Sequence, residues 1–300
     1  MSRRRKGKNV HGILLLDKPA GYSSNQAVQK LRWLFNARKA GHTGSLDPFA
    51  TGMLPICFGE ASKTAGFMLD ASKTYLASAR LGQATATGDI EGDIITEMPV
   101  PDLADSDFEG VFEIFHGSIE QIPPMYSALK LQGQPLYKLA REGKEVERKP
   151  RTVTIHSLEL ISWDAPVLVF RVHCSKGTYV RTLAEDIARA VDCCAHLQDL
   201  RRLDVEPFQE KNMISLQAVE QAVAAGIHES LLLPLDSGLE DWPVIWLEEE
   251  AAARFSHGNQ VPVTEQATGA VRVYLRQGRI LGLGEVGPDQ YLYPKRVFVW

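Results

Sequence analysis

Residues 41–59 limit the local structure of this chain more than any other stretch. They read GHTGSLDPFATGMLPICFG, with four glycines and two prolines in nineteen residues. Glycine raises the entropic cost of ordering the backbone and proline removes a backbone donor, so neither suits the interior of a helix or strand. The sequence therefore predicts a shaped loop throughout this stretch.

The loop holds one acid, Asp47, between Leu46 and Pro48. Proline disfavours the helical region for the residue before it, so we expect this carboxylate on an extended or turning backbone of fixed direction. A rigidly held carboxylate suits a nucleophile or a general base. The alternative is an ordinary turn in which the aspartate side chain binds its own backbone. The stretch contains neither G-x-x-x-x-G-K-[ST] nor G-x-G-x-x-G, which argues against nucleotide binding.

Length and composition are those of a globular protein. The 300 residues suffice for one large domain or two, and 44% are hydrophobic and 23% charged. No apolar run approaches about eighteen residues, and no hydrophobic segment follows the basic amino terminus, which argues against membrane spans and secretion. We expect a cytoplasmic protein with no membrane partner.

The four cysteines, Cys57, Cys174, Cys193 and Cys194, lack C-x-x-C spacing. Free thiols in a reducing cytosol are therefore expected. His196 lies close to the last two in sequence, but adjacent cysteines are a poor pair of tetrahedral ligands, so no metal site is predicted.

The net charge of −4 hides a polarised distribution. Residues 1–75 carry twelve Lys and Arg against four acids, a charge of +8, whereas the remainder carries −12. This indicates a basic face that could follow nucleic-acid phosphates; a basic tail that only improves solubility is the alternative. Residues 1–10 are predicted to be a disordered basic tail, since residues 2–8 (SRRRKGK) contain nothing apolar to bury.

Hydrophobic periodicity and turn residues predict alternating helices and strands. Capping serines predict one helix that begins at Ser23 or Ser24 and another that begins at Ser215. Further helices are expected over 61–69, over 108–115 and after residue 181. Strands are expected over 12–16, 73–81, 153–163 and 167–174. A loop is expected over 83–93 and a linker over 234–243. Short strands with alternating hydrophobic residues are expected in a small all-β module beyond residue 254.

Several long motifs occur in one order along the chain: GILLLDKPAGYSS, GHTGSLDPFATGMLPICFGEASK, KTYLASARLGQATATGD, IPPMYSALKLQGQPLYKLAR and VHCSKGTYVRTLAEDIA. Together they resemble the TruB family of tRNA pseudouridine synthases, closely over residues 11–237. The resemblance implies an α+β fold, with a mixed, mainly antiparallel sheet flanked by helices in a catalytic domain over 11–237. It also implies a T-loop-clamping insertion at about 121–151 and a small all-β PUA-like domain over 242–300.

The same resemblance implies an isomerase that converts uridine 55 in the tRNA T loop to pseudouridine by base flipping, with a second role as a tRNA folding chaperone. No cofactor, metal or protein partner is implied, and a monomer is expected. Three alternatives stay open: an RNA chaperone without catalysis, an RNA N-glycosidase, and a guide-RNA-dependent relative of the family.

The resemblance assigns the chemistry to Asp47, as nucleophile or base, with Arg181 from the KGTYVR motif beside it. Such an ion pair is expected to lower the pKa of Asp47 and keep it charged. Tyr75 and Tyr179 are implied to stack on the uracil, and Leu200 to meet it through its backbone. From the residues alone, the alternative is favoured: an aromatic on a strand, such as Tyr75, is usually an ordinary core residue.

Three further kinds of role follow from the resemblance. His42 is implied to fill the vacated base stack, with a loop hydrogen bond as the alternative. Lys18 is expected to support the loop by packing its stem and pairing with an acid. Lys130 and Arg141, on the insertion, are implied to contact RNA phosphates, with a solvated loop as the alternative.

Overall fold

The computed structural model describes residues 7–131, 133–264 and 267–299. Most of the predicted basic tail, residues 1–6, lies outside the described residues. Lys8, by contrast, forms a β-bridge with Ala37, so the predicted disorder is wrong at this residue.

Seven α-helices are present among the described residues: α1 Ser24–Leu34, α2 Ala65–Asp70, α3 Asp105–Phe115, α4 Leu136–Arg141, α5 Val180–Ala190, α6 Leu216–Ala224 and α7 Glu249–Ser256. The described strands are β1 Gly12–Lys18, β2 Ala40–His42, β3 Thr51–Phe58, β4 Lys73–Leu81, β5 Gln83–Thr85, β6 Ile94–Glu97, β7 Gly117–Gln121, β8 Lys130–Leu131, β9 Gln134–Pro135, β10 Arg151–Asp164, β11 Val167–Cys174, β12 Ala195–Val205, β13 Ile214–Ser215, β14 Val244–Leu247, β15 Val261–Pro262, β16 Gly269–Leu275, β17 Ile280–Val286 and β18 Tyr291–Val297.

A nine-stranded mixed sheet forms the centre of the molecule, in the order β13-β1-β3-β12-β4-β11-β10-β7, with β2 paired to β3. Only β1/β13 and β3/β12 are parallel pairs in this sheet. The predicted mixed, mainly antiparallel sheet is therefore confirmed.

The two faces of β1 pack against different partners because side chains alternate along a strand. Leu14 and Leu16 join the main core, which includes buried residues of α1, α3 and α5. Ile13 and Leu15 face the other way and pack with Ile280 and other residues of the carboxyl-terminal region. The sheet is thus covered by helices on one face and partly by the carboxyl-terminal sheet on the other.

The carboxyl-terminal region forms a five-stranded sheet, β14-β16-β17-β18-β15, with α7 packed on it around Phe255. The predicted small β-domain is confirmed, with one eight-residue helix added to it. Hydrogen bonds tie it to residues 59–63, the short helical turn that follows β3: Lys63 Nζ donates to the Val297 carbonyl at 2.6 Å, and the Val299 N–H donates to Glu60 at 2.9 Å. The domain boundaries at 237 and 242 remain predictions.

The predicted loop over 41–59 is wrong at residues 41–42, which belong to β2, and at residues 51–58, which form β3. Gly52 has φ +96° and lies opposite Arg202 of β12, and a Cβ there would come within 2.2 Å of the Arg202 carbonyl oxygen. Glycine permits this close parallel pairing rather than preventing it. Pro55 lies opposite Leu15 of β1, and its carbonyl accepts from the Thr43 N–H at 3.2 Å.

Two other segments differ from the expectation. The predicted loop at 83–93 begins with β5, which pairs with β6. The insertion at 121–151 contains the short β8/β9 pair and α4.

Candidate active site

An open cavity lies where the amino-terminal end of β4, the start of α5 and β12 meet the loop before β3. Its lining includes most of the predicted site residues together with several that were not predicted: Ser45, Leu46, Asp47, Leu69, Lys73, Tyr75, Ser127, Tyr179, Arg181, Leu200 and Arg202. The sheet and the loop therefore bring together residues that are far apart in the sequence.

The loop that carries Asp47 is fixed from the amino-terminal side of α1. Buried Ser24 binds both backbone groups of Leu46, donating to its carbonyl at 3.0 Å and accepting from its N–H at 2.8 Å. The Pro48 carbonyl accepts from the Gly21 N–H at 2.8 Å. Both residues that flank Asp47 are thus held, and the direction of its side chain follows.

Arg181 binds the Asp47 carboxylate directly. Its Nε lies 3.1 Å from Asp47 Oδ2, and the arginine side chain is only 5% exposed against 36% for the aspartate. Residues 175–179 form the turn that precedes α5, so the second residue of the helix points into the cavity rather than into solvent. The predicted proximity of these two side chains is present.

Three other groups fix the Arg181 guanidinium. Nη1 donates to the Thr87 carbonyl at 2.7 Å and Nη2 to the Tyr126 carbonyl at 2.8 Å. The third is Asp89, whose Oδ2 lies 3.3 Å from Nη1. Asp89 is itself buried and accepts from the Thr87 hydroxyl at 2.6 Å. One guanidinium is thus shared by two carboxylates.

Sequence reasoning missed Asp89, because it lies in a polar segment that was interpreted as a plain loop. Its only local signal is the preceding Gly88, which adopts φ +73° and turns the chain toward Arg181. An acid after such a glycine is common in ordinary turns, so the pattern alone does not single it out.

The expected fall in the pKa of Asp47 is wrong. Burial raises its pKa above the ordinary value, and the nearby Asp89 carboxylate adds to the rise, while Arg181 opposes it. Desolvation disfavours the charged form more strongly here than the ion pair favours it. A raised pKa brings this carboxyl nearer to the range in which it can exchange a proton during a reaction.

Two tyrosine rings face the cavity. Tyr75 lies on β4 between β11 and β12, opposite Val172 and Arg202. Tyr179 precedes α5, where the buried Gln121 amide accepts from its N–H at 2.9 Å and donates to its carbonyl at 3.3 Å. Leu200 also lines the cavity, and its N–H donates to the Asp199 side chain at 2.9 Å.

Lys18 is fully buried behind the Asp47 loop. Its ammonium donates to the carbonyls of Pro19 at 3.0 Å, Tyr22 at 2.7 Å and Pro48 at 3.3 Å. The expected pairing with an acid is wrong, since these partners are backbone groups. Lys18 holds the residue next to Asp47 and does not line the cavity.

We expect Lys18 to make the free energy of unfolding depend on pH in the alkaline range. Burial lowers its pKa from the ordinary 10.5 to about 8. Between these values the unfolded chain binds a proton that the folded chain lacks, so the free energy of unfolding should rise with pH. Relative to Lys18→Met, the wild type should gain up to about 1.4 kcal/mol per pH unit. Below pH 8 Lys18 keeps its proton in both the folded and the unfolded chain. The difference in unfolding free energy between the wild type and Lys18→Met should therefore be constant there.

Urea unfolding of both proteins from pH 7 to pH 10 measures this difference. The exposed Lys211→Met variant controls for the loss of any lysine. If the unfolding free energies of the wild type and Lys18→Met changed with pH in parallel, the lowered pKa of Lys18 would be contradicted.

The remaining predicted residues do not line the cavity. His42 Nδ1 accepts a hydrogen bond from the Gly44 N–H at 3.3 Å. This is the loop hydrogen bond that the sequence analysis gave as the alternative to a role in the vacated base stack. Burial and the Arg202 charge lower the pKa of His42, which favours the neutral ring. Lys130 and Arg141 are exposed on the insertion, the latter with its guanidinium 5.8 Å from the Tyr137 ring centre.

Two further features are absent from the part of the chain that the structure describes. None of their helices combines the length and apolarity needed to cross a bilayer. In the same part of the chain, no three His, Cys, Asp or Glu side chains are grouped so that they could hold a metal ion.

Three family models match successive parts of the chain. They are TruB family pseudouridylate synthase (N terminal domain) at residues 32–180, tRNA pseudouridylate synthase B C-terminal domain at 181–240, and Pseudouridine synthase II TruB, C-terminal, at 243–298.

Curated relatives match over nearly the whole length. The tRNA pseudouridine synthase B of Pseudomonas fluorescens (strain Pf0-1) is 49% identical over 294 residues, which is 97% of this chain and 96% of that protein. The protein of the same name from Pseudomonas aeruginosa (strain UCBPP-PA14) is 50% identical with the same coverage.

Among solved structures, the Cbf5-Nop10-Gar1 complex contains a chain with TM-score 0.73 and 25% identity, covering 96% of this chain and 85% of its own. The archaeal box H/ACA Nop10-Cbf5 complex gives TM-score 0.71 at 22% identity, with 100% and 93% coverage, and shows likeness of fold alone. On the relatives and family models together, this chain belongs to the TruB family of tRNA pseudouridylate synthases.

Proposed function

We propose that this protein converts uridine 55 in the T loop of tRNA to pseudouridine, with Asp47 as the group that acts on the target nucleotide. One observation carries the proposal: a half-exposed carboxylate, held by Arg181, at the wall of a cavity that two tyrosine rings also line. Family membership supports the reaction class, and this geometry supports the choice of residue.

The target base must leave its stack to reach this cavity. A flipped base needs aromatic surfaces that replace its former neighbours, and each such stacking contact is worth about 1–3 kcal/mol. Tyr75 and Tyr179 supply these surfaces in the proposal, with His42 at the mouth of the vacated stack and Leu200 beside the uracil edge.

The reaction replaces the carbon–nitrogen bond between the ribose and the uracil by a carbon–carbon bond. The N1–C1′ bond breaks, the uracil turns, a C5–C1′ bond forms, and C5 loses a proton while N1 gains one. Asp47 acts by attack on uracil C6, by attack on ribose C1′, or by removal of a ribose proton. Arg181 favours the ionised carboxylate, in opposition to the effect of burial, and offsets the negative charge that develops.

The cavity also has to retain the detached uracil, because its escape would leave an abasic RNA. Lys130 and Arg141, exposed on the insertion, are proposed to contact the phosphates of the T stem-loop as it enters. The protein is proposed to act as a monomer without guide RNA or protein partner.

Tritium release from tRNA transcript labelled at uridine C5 tests the activity. Carbodiimide treatment and primer extension then locate the product, and a transcript with cytidine at position 55 is the matched control. We expect tritium release from the transcript with uridine at position 55 and none from the cytidine control, with pseudouridine located at position 55. Free uracil detected by chromatography would instead indicate an N-glycosidase, and no release from bare transcript would contradict stand-alone activity.

We expect Tyr75→Ala to lower the single-turnover rate constant by at least about fivefold, the equivalent of 1 kcal/mol of lost stacking. The effect should appear with saturating tRNA, since the ring supports the flipped base rather than the duplex. An unchanged single-turnover rate would remove Tyr75 from the stacking role.

A further inference from the structure

Leu69 is an apolar side chain that stays accessible at the cavity. It is the fifth residue of α2 and is 46% exposed, whereas Leu46 and Leu200, which line the same cavity, are 6% and 5% exposed. Single exposed apolar residues are common on protein surfaces, so this exposure carries no inference by itself. What distinguishes Leu69 is the set of contacts that fixes its backbone.

A buried lysine holds the end of the helix that carries Leu69. Lys73 is 6% exposed, and its ammonium donates to the carbonyls of Met68 at 3.3 Å, Leu69 at 2.8 Å and Ala71 at 2.5 Å. The last carbonyls of a helix have no partner within it, and a cation at this end also interacts favourably with the helix dipole. Lys73 thus binds the free carbonyl groups at the end of α2, including that of Leu69 itself.

Lys73 belongs to the strand that presents Tyr75. It is the first residue of β4, which lies between β11 and β12 in the central sheet. Residues two apart on a strand lie on the same face, and both Lys73 and Tyr75 line the cavity. The end of α2 is therefore joined directly to the central sheet, next to a ring that faces the cavity.

The other sides of α2 are packed as well. Met68 is 2% exposed and lies in a core cluster with Leu235, and the Phe67 ring centre lies 4.7 Å from that of Trp242. Successive residues of a helix point about 100° apart, so these contacts leave Leu69 on a third side, toward the cavity. The exposed leucine is a fixed feature of the cavity wall.

We propose that Leu69 is a substrate-contact residue that packs against the flipped nucleotide. This inference rests on the proposed function, since it requires a base in the cavity. In that function Tyr75 and Tyr179 cover the faces of the uracil, which leaves its edges and the ribose to other groups. The ribose carbons and the C5–C6 edge of uracil are apolar, and covering them with Leu69 removes apolar surface of both partners from water.

Single-turnover tritium release on saturating tRNA, labelled at uridine C5, tests the contact. We expect Leu69→Ala and Leu69→Asn each to lower the rate constant by about tenfold, because the first removes most of the apolar surface and the second makes it polar. Leu69→Met keeps the volume and the apolar character and should stay within about threefold of the wild type. The affinity for tRNA, measured by filter retention, should change by less than about threefold, since phosphate contacts supply most of it.

Ile114→Ala is the matched control, because Ile114 is 69% exposed on α3 and does not line the cavity. Its rate should equal that of the wild type. A wild-type rate for Leu69→Ala, an equal loss for Leu69→Ala and Leu69→Met, or a loss that resides in tRNA affinity would each overturn the contact.

Circular dichroism shows whether each variant is folded before the rates are compared. Leu69 is half-exposed, so all three substitutions are expected to fold. Should either Leu69→Ala or Leu69→Asn not fold, the other decides by the same tenfold and threefold limits.

The two proposals fail differently. Absence of tritium release from the wild type would refute the proposed function. An active wild type with an equally active Leu69→Ala variant would refute only the role of Leu69.

Discussion

Replacement of Asp47 by asparagine should abolish isomerisation while leaving tRNA binding nearly intact. Asparagine has the same shape and can still accept from Arg181 Nε, so the loop anchored by Ser24 and Lys18 should keep its structure. What is lost is the negative charge and the nucleophilic or basic oxygen. We expect the single-turnover rate to fall by at least about 10⁴-fold, as for removal of a group that acts in the chemical step.

Tritium release from 5-labelled tRNA measures the rate, and filter binding measures the affinity, which should stay within about threefold. Asp164→Asn, in the exposed turn between β10 and β11, is the matched control and should retain the wild-type rate. Residual turnover within tenfold of the wild type would exclude Asp47 as the acting group.

Gly52→Ala is expected to have the largest effect on folding. An added Cβ would lie 2.2 Å from the Arg202 carbonyl oxygen and 2.9 Å from its nitrogen, and these backbone atoms cannot rotate away. The residue also has φ +96°, a conformation that a side chain disfavours. The β3/β12 pair would have to separate, so we expect a loss of more than about 4 kcal/mol, or no folded protein.

Urea unfolding followed by circular dichroism, together with soluble yield, measures this effect. Gly110→Ala is the matched control, because its Cβ would meet no atom within 4 Å on α3. It should stabilise the chain by about 0.4–1 kcal/mol through helix propensity and a less flexible unfolded state. A Gly52→Ala midpoint equal to that of the wild type would show that β3 and β12 are less tightly packed than described.

Much of the fold could be predicted because its elements carry regular patterns. The capping serine and helical spacing of residues 24–34 predicted α1, and alternation predicted β4 and β11. β3 was missed because its glycine and proline usually break strands. The glycine is accommodated by a parallel neighbour, β12, that is more than a hundred residues away in sequence, and the proline lies opposite Leu15 of β1.

The site was predicted less completely, for a related reason. Asp47, Tyr75, Tyr179 and Arg181 belong to long motifs of a recognisable family, and each of them lines the cavity. Asp89 and Arg202 are single polar residues whose importance depends on three-dimensional neighbours. Arg201 and Arg202 are adjacent and chemically identical, and only the pairing of β12 decides which one faces the cavity.

The pairing of β12 between β3 and β4 has a consequence for protein synthesis. The Asp47 loop emerges early from the ribosome, yet Arg181, Arg202 and the neighbouring strand that hold it are translated much later. A nascent chain therefore has no assembled cavity until β12 has left the exit tunnel.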